Sequence, residues 1–159
     1  MANKKKIKSS PTTESYMDFL KSLRFMGLGL DSASVKVERG VLAGILSGGQ
    51  TAETSFGAEY KILVQASGNF VVGASFVLTK QAKEVTEPIV LISVSYSALF
   101  ETAKANDSES VKRFSQSEAK LIFWPYLRYF ISDMSSRMSI DQILLPLTSE
   151  FEARQAVAE

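Results

Sequence analysis

The chain has 159 residues, 45% of them hydrophobic, with 18 Lys and Arg against 17 Asp and Glu and a formal net charge of +1. That is one domain's worth of chain, able to bury roughly two-thirds of its unfolded surface. The even charge steers it toward neither nucleic acid nor an anionic membrane. Cysteine and histidine are both absent, which excludes disulfides, thiolate chemistry and the commonest general base and metal ligand.

The first fifteen residues, MANKKKIKSSPTTES, carry lysines with no apolar segment behind them, so they are not a signal peptide. They read as a disordered basic tail, residues 1–15, ahead of a single domain over residues 16–159. From Ser15 to Leu30, Met17, Phe19, Leu23 and Phe25 share one parity, which suggests a first strand bent near Gly27 and Gly29. A helix through Tyr16 to Phe25 is the competing reading. Val35 to Ser55 is glycine-rich. Val41, Leu42, Ile45 and Leu46 suit a helical turn, but Gly40, Gly44, Gly48 and Gly49 argue for a flexible crossover.

Three strands follow with period two. Tyr60, Ile62, Val64 and Ala66 alternate with polar neighbours up to a hairpin turn at Gly68-Asn69. Phe70, Val72, Ala74, Phe76 and Leu78 share a face, as do Val90, Ile92, Val94, Tyr96, Ala98 and Phe100, which alternate with Ser93, Ser95 and Ser97. No segment reaches the ~20 apolar residues of a membrane span. Period two three times over, with short connections, predicts an antiparallel sheet with one apolar face.

Lys104 to Arg113 reads as a polar connector. Ser115 or Ser117 is placed to cap a long helix, with Glu118 favourable in its first turn. Phe123, Leu127, Phe130, Ile131, Met134 and Met138 form its stripe. Leu121, Ile122, Trp124, Tyr126 and Tyr129 fall outside that stripe, so the first half is apolar nearly all round and needs cover on more than one side. A second copy of the chain is the natural cover. Pro125 should kink the helix or restart it, and Arg137 near its end suits the dipole. The next segment is unusually apolar for a loop, with Ile140, Ile143, Leu144, Leu145, Pro146 and Leu147. Such side chains either plug the core or are offered to a partner. Thr148 to Ala158 suits a short second helix carrying Phe151.

Catalytic chemistry finds no support. Asp31, Asp133 and Asp141 have no second carboxylate at a spacing that shares a helix face, and the serines lack a base. Gly27-Leu28-Gly29 lacks the third glycine and the helix of a phosphate cradle. The expectation is a protein without enzymatic activity, metal or cofactor.

The segment FWPYLRYFISDMSSR, followed by LLPL, resembles the helix signature of the SecB family of export chaperones. Pro125, Tyr126 and Arg128 match its Pro-Tyr-x-Arg run, and Ile131, Met134 and Arg137 its Ile-x-x-Met-x-x-Arg run. The similarity extends back through the strands to about Phe19. It implies an α+β fold: a four-stranded antiparallel sheet with a long helix and a short C-terminal helix. It also implies an oligomer, a tetramer built as a dimer of dimers, with Phe123, Trp124, Tyr126, Leu127, Phe130, Ile131 and Met134 in the core or at the interface between copies. The absence of cysteine fits a reducing cytoplasm, while permitting other compartments.

By position, a groove for non-native polypeptide would be lined by Val41, Leu42, Ile45 and Leu46 of the crossover. Ile140, Ile143, Leu144 and Leu147 of the connecting loop and Phe151 of the last helix would complete it. Export members dock the translocase ATPase through carboxylates on the outer sheet face; the matching positions here are Leu28, Ser32 and Ser93. Together with the slightly positive charge, this counts against that docking. It favours the branch that serves as dedicated chaperone of an antitoxin in a toxin–antitoxin pair. The expected function is therefore an ATP-independent holdase for an aggregation-prone antitoxin, with no nucleic-acid partner and no membrane insertion. A general export chaperone for preproteins and an adaptor for one folded partner are the alternatives.

Overall fold

A computed structural model describes residues 12–48, 51–83, 85–104, 107–140, 143 and 145, without the side chains of residues 45, 46 and 48. In chain order the elements are α1 (Thr13–Ser22), β1 (Arg24–Val37), α2 (Arg39–Gly48), β2 (Ala52–Ala66), β3 (Asn69–Ala82), β4 (Val90–Glu101), α3 (Ser108–Gln116) and α4 (Ala119–Arg137). The fold is α+β. Its single four-stranded sheet has the order β1-β4-β3-β2, with every neighbouring pair antiparallel.

Period-two alternation builds the two central strands. Phe70, Val72, Ala74, Phe76 and Leu78 of β3 are buried on the same face as Val90, Ile92, Val94, Tyr96, Ala98 and Phe100 of β4. Burying such side chains contributes about 1.5–3 kcal/mol each at the size of Val or Leu. β2 and β3 meet at Ala66 and Asn69, so the turn is Ser67-Gly68, one residue earlier than the sequence suggests. Gly68 adopts φ +88°, a left-handed conformation open to glycine at little cost.

Ser15–Leu30 is not one strand. Thr12 accepts the Ser15 N–H at 3.3 Å and caps a helix that starts at Thr13, inside the stretch assigned to the tail. Tyr16 and Phe19, three residues apart, both reach the core, a spacing that a helix satisfies and a strand does not. β1 begins only at Arg24 and carries bulges between Phe25 and Gly27 and between Leu30 and Ser32. The crossover holds a regular helix, α2, and the polar connector is also helical. Asp107 accepts the Ser110 N–H at 3.2 Å to start α3, which buries Val111 and Phe114.

Neither Ser115 nor Ser117 caps α4. The Ser115 hydroxyl donates to the Lys112 carbonyl, and the single Ser117 hydroxyl proton is shared between the Arg113 carbonyl and the Glu118 carboxylate. Glu118 occupies the N-cap position and receives the Tyr16 hydroxyl at 2.5 Å, which ties α1 to the start of α4. Burial pushes the Tyr16 phenol up to about 12, and the Glu118 carboxylate adds to the rise. Burial alone would raise Glu118 as well, but the Ser117 and Tyr16 donors outweigh it and hold the carboxyl below its ordinary value. The Arg113 guanidinium lies 4.0 Å over the Tyr16 ring centroid.

α4 runs as one helix through Pro125, which is exposed. The hydrogen bond that proline forfeits therefore lies where water can replace it. The buried face runs through Phe123, Trp124, Leu127, Ile131 and Ser135, with Phe130, Met134 and Met138 half-buried at its margin. It is rotated toward Trp124 relative to the predicted stripe because the indole packs edge-on against Phe56, ring centroids 5.5 Å apart. Arg137 pairs with Asp133 at 2.9 Å, one helical turn back.

The helix ends in a Schellman motif. The Ile140 N–H donates to the Ser135 carbonyl at 3.2 Å and the Ser139 N–H to Ser136 at 3.1 Å. The left-handed position is filled by Ser139 at φ 52°, where glycine is the unstrained residue. Ser139→Gly is therefore expected to raise the unfolding free energy by about 0.5–1 kcal/mol in urea denaturation.

Candidate functional site

Two elements distant in sequence meet at the C-terminal end of α4. The first is α2. Its start is anchored by the Glu38 N–H on the Ile89 carbonyl at 2.9 Å and the Leu42 N–H on Glu38 at 3.0 Å. Val41 and Leu42 pack half-buried against the core. From the same end, Arg39 Nη2 donates to the Met138 carbonyl at 3.2 Å. Met138 is the C-cap of α4, where carbonyls lack helical partners and the dipole favours a cation.

The second element is the exit segment of α4. Ile140 and Ile143 are half-buried against the core, and Leu145 is only 8% exposed and belongs to it. The apolar run thus divides, with Leu145 plugging the interior and the two isoleucines lying at its rim. The Ile143 N–H is accepted by Ser135 Oγ at 3.4 Å. Beside them, Tyr129, Ser132, Asp133, Ser136 and Ile140 line an open cleft of about 540 Å³.

Of the expected groove residues, Val41, Leu42, Ile140 and Ile143 are each half-buried against the core, the first two on α2 and the last two on the exit segment of α4, and the Arg39–Met138 hydrogen bond links those two elements. Ile45 and Leu46 belong to α2 by backbone, but their side chains lie outside the described atoms, and Leu144, Leu147, Phe151 and the Thr148–Ala158 helix lie outside the described residues. Of the core or interface set, Phe123, Trp124, Leu127 and Ile131 are buried, Phe130 and Met134 half-buried, and Tyr126 exposed. Leu121 and Tyr129 are 60% and 75% exposed on the outward side of α4. Phe25, Met26 and Leu30 are exposed along edge strand β1.

Sequence reasoning missed Arg39 and Ser135. Arg39 left no signal, because its partner is a backbone carbonyl 99 residues away. Ser135 did leave one: it is the polar fourth member of the series Phe123, Leu127, Ile131.

The opposite sheet face differs from the expectation at one position. Leu28 pairs with Ala98 and packs toward the core, because the bulge after Phe25 reverses the parity of β1; Gly27 and Gly29 face outward instead. Ser32 and Ser93 are on the outer face. Its glutamates are paired: Glu59 with Lys61 at 3.0 Å, Glu53 with Lys83 at 3.7 Å and Glu101 with Arg24 at 3.6 Å. Asp31 accepts the Ser97 hydroxyl at 2.9 Å. Among the described residues no acidic or metal-binding cluster forms, and no helix is long and apolar enough to cross a membrane. The Tyr16–Glu118 pair, with its raised phenol and lowered carboxyl, lies at the other end of α4.

No family model matches the chain, and no curated protein sequence matches it. Among solved structures it is similar to the Mycobacterium tuberculosis SecB-like chaperone Rv1957, solved in complex with a ChAD peptide from the Rv1956 HigA1 antitoxin. The TM-score is 0.60 at 15% identity, covering 82% of this chain and 94% of that one. A protein of unknown function from Streptococcus agalactiae aligns with a TM-score of 0.44 at 12% identity, covering 79% of this chain and 97% of that one. The likeness to Rv1957 is one of fold, and the fold is SecB-like.

Proposed function

We propose that this SecB-like chain is an ATP-independent holdase that captures non-native polypeptide at the α2–α4 junction. The reading is supported by the half-burial of Val41 and Leu42 on α2 and of Ile140 and Ile143 beyond α4, two elements joined by the Arg39–Met138 hydrogen bond, on a fold whose mycobacterial example was solved with an antitoxin peptide. Holding a client needs no nucleotide and no covalent step. Each Leu- or Phe-sized client side chain that is fully buried contributes up to about 1.5–3 kcal/mol. Ordering an extended client opposes much of that, so useful affinity requires several apolar positions engaged together. Ile45, Leu46, Leu144, Leu147 and Phe151 extend the proposed groove.

The client we infer is an aggregation-prone antitoxin. The paired, mostly uncharged outer face offers a translocase ATPase little net acidity, which leaves delivery of exported preproteins as the weaker reading. Self-association belongs to the same proposal: Leu121, Tyr126 and Tyr129 form an apolar face on α4 for a second copy. The proposed setting is the cytoplasm, and the domain follows a basic tail.

Denatured model client, diluted with and without the protein, provides the test, read by turbidity and by a binding titration. The wild-type chain is expected to suppress aggregation at near-stoichiometric ratio. Ile140→Asp and Ile143→Asp should each weaken capture about tenfold or more, since a charge replaces an apolar contact worth at least ~1.4 kcal/mol. Their melting temperatures should fall only a few degrees, because both side chains sit at the rim of the core. Binding of one folded partner with no effect on denatured protein would instead identify an adaptor.

A further inference from the structure

Phe123, Leu127 and Ile131 recur every four residues along the buried face of α4, and the next position in that series is Ser135, fully buried at 0% exposure. An apolar residue would continue the packing there, so the serine needs a reason. Its hydroxyl donates to the Ile131 carbonyl at 2.7 Å, a back-bond available to any helical serine. The same oxygen also accepts the Ile143 N–H at 3.4 Å, and the Ser135 carbonyl accepts the Ile140 N–H at 3.2 Å. One residue thus holds two described positions of the exit segment, Ile140 and Ile143 at its rim. Without the hydroxyl, the part-buried Ile143 amide has no acceptor from Ser135 and must find water, which draws the segment off the helix.

We propose that Ser135 is a positioning residue for polypeptide capture: by accepting the Ile143 amide it keeps Ile140 and Ile143 at the rim while Leu145 stays seated in the core. The idea rests on the holdase reading. Capture by a segment already held in place avoids the entropy of ordering it, so loosening the segment weakens binding even though no apolar contact group has been removed.

The test compares Ser135→Ala with Ser115→Ala in the full chain. Ser115 is a fair control, since it is 3% exposed and its hydroxyl donates to the Lys112 carbonyl at 2.7 Å, a back-bond within its own helix with no loop partner among the described residues. Hydrogen exchange at the Ile143 amide should accelerate at least about tenfold in Ser135→Ala and stay unchanged in Ser115→Ala. Affinity for a denatured client should fall about three- to tenfold in the first variant only, and Ser135→Thr, which keeps the hydroxyl, should restore the exchange protection. Wild-type exchange at Ile143 in Ser135→Ala overturns the proposal, as does faster exchange with unchanged affinity. A wild-type chain that captures no denatured client overturns the holdase reading instead, and the exchange comparison still reports whether Ser135 holds the segment.

Discussion

Phe100→Ala is expected to lower the unfolding free energy by about 3–5 kcal/mol, the usual cost of emptying an aromatic site in a closed core. Phe100 is 0% exposed and sits where four elements meet. Its ring centroid is 5.2 Å from that of Phe70 in β3 and 5.0 Å from that of Phe114 in α3, and Phe25 of β1 lies 5.8 Å away. Phe19 of α1 reaches the same cluster through Phe70 and Phe114, each at 6.2 Å. Neighbours contributed by different elements cannot all collapse into the hole, so most of the cavity cost should persist. Domains of this kind have only about 5–15 kcal/mol of total stability, so the variant should lose a large share of it. Guanidinium denaturation followed by tryptophan fluorescence measures this directly, with Trp124 as the single reporter. A loss below about 1.5 kcal/mol would show that the aromatic cluster is not the centre of the fold. Phe130→Ala, at the half-buried margin of α4, should cost the isolated chain less.

The double variant Leu121→Glu, Tyr129→Glu should convert an associated species to monomers while leaving the circular dichroism spectrum unchanged. Both side chains point away from the chain's own core, at 60% and 75% exposure, so the substitutions remove little intramolecular packing. If a second copy covers this face, each carboxylate must be desolvated without a partner, at a cost of several kcal/mol. Two such penalties exceed the ~4 kcal/mol that separates a micromolar from a millimolar dissociation constant. Multi-angle light scattering should therefore show a drop in mass at micromolar concentration. Identical masses for wild type and variant would mean that α4 presents this face to water, and self-association would have to use another surface, such as edge strand β1 with its exposed Phe25, Met26 and Leu30.

Legibility followed the length and regularity of the elements. β3 and β4 were readable because each runs twelve residues or more with one parity facing the interior. α4, at 19 residues, was readable for the same reason, since its three- and four-residue spacing outlasts any strand alternative. The short helices were harder. In α1 Tyr16 and Phe19 are buried and Leu20 is half-buried, and α2 has three glycines in ten residues, so its helicity depends on contacts to Ile89, Met138 and the core that no local window contains. Leu28 shows how a bulge defeats parity counting: one extra residue after Phe25 moved it from the expected outer face to the inner one. At the junction, the apolar character of Val41, Leu42, Ile140 and Ile143 was visible from composition, while the division between a buried Leu145 and rim isoleucines was not. Ser135 decides that division through hydrogen bonds to residues five and eight positions ahead.

By itself the sequence determined the two central strands, the long oily helix and the surplus of apolar side chains in connecting segments, because those are properties of local periodicity and of residue type. Tertiary structure alone decided which way the bulged edge strand faces, that the glycine-rich crossover closes into a helix, and that its Arg39 meets the last carbonyl of α4. The physical reason is one of range. Alternation and helical spacing are set by neighbours a few residues apart, whereas a bulge, a marginal helix and a carbonyl seeking a donor are settled by whatever the rest of the chain brings alongside.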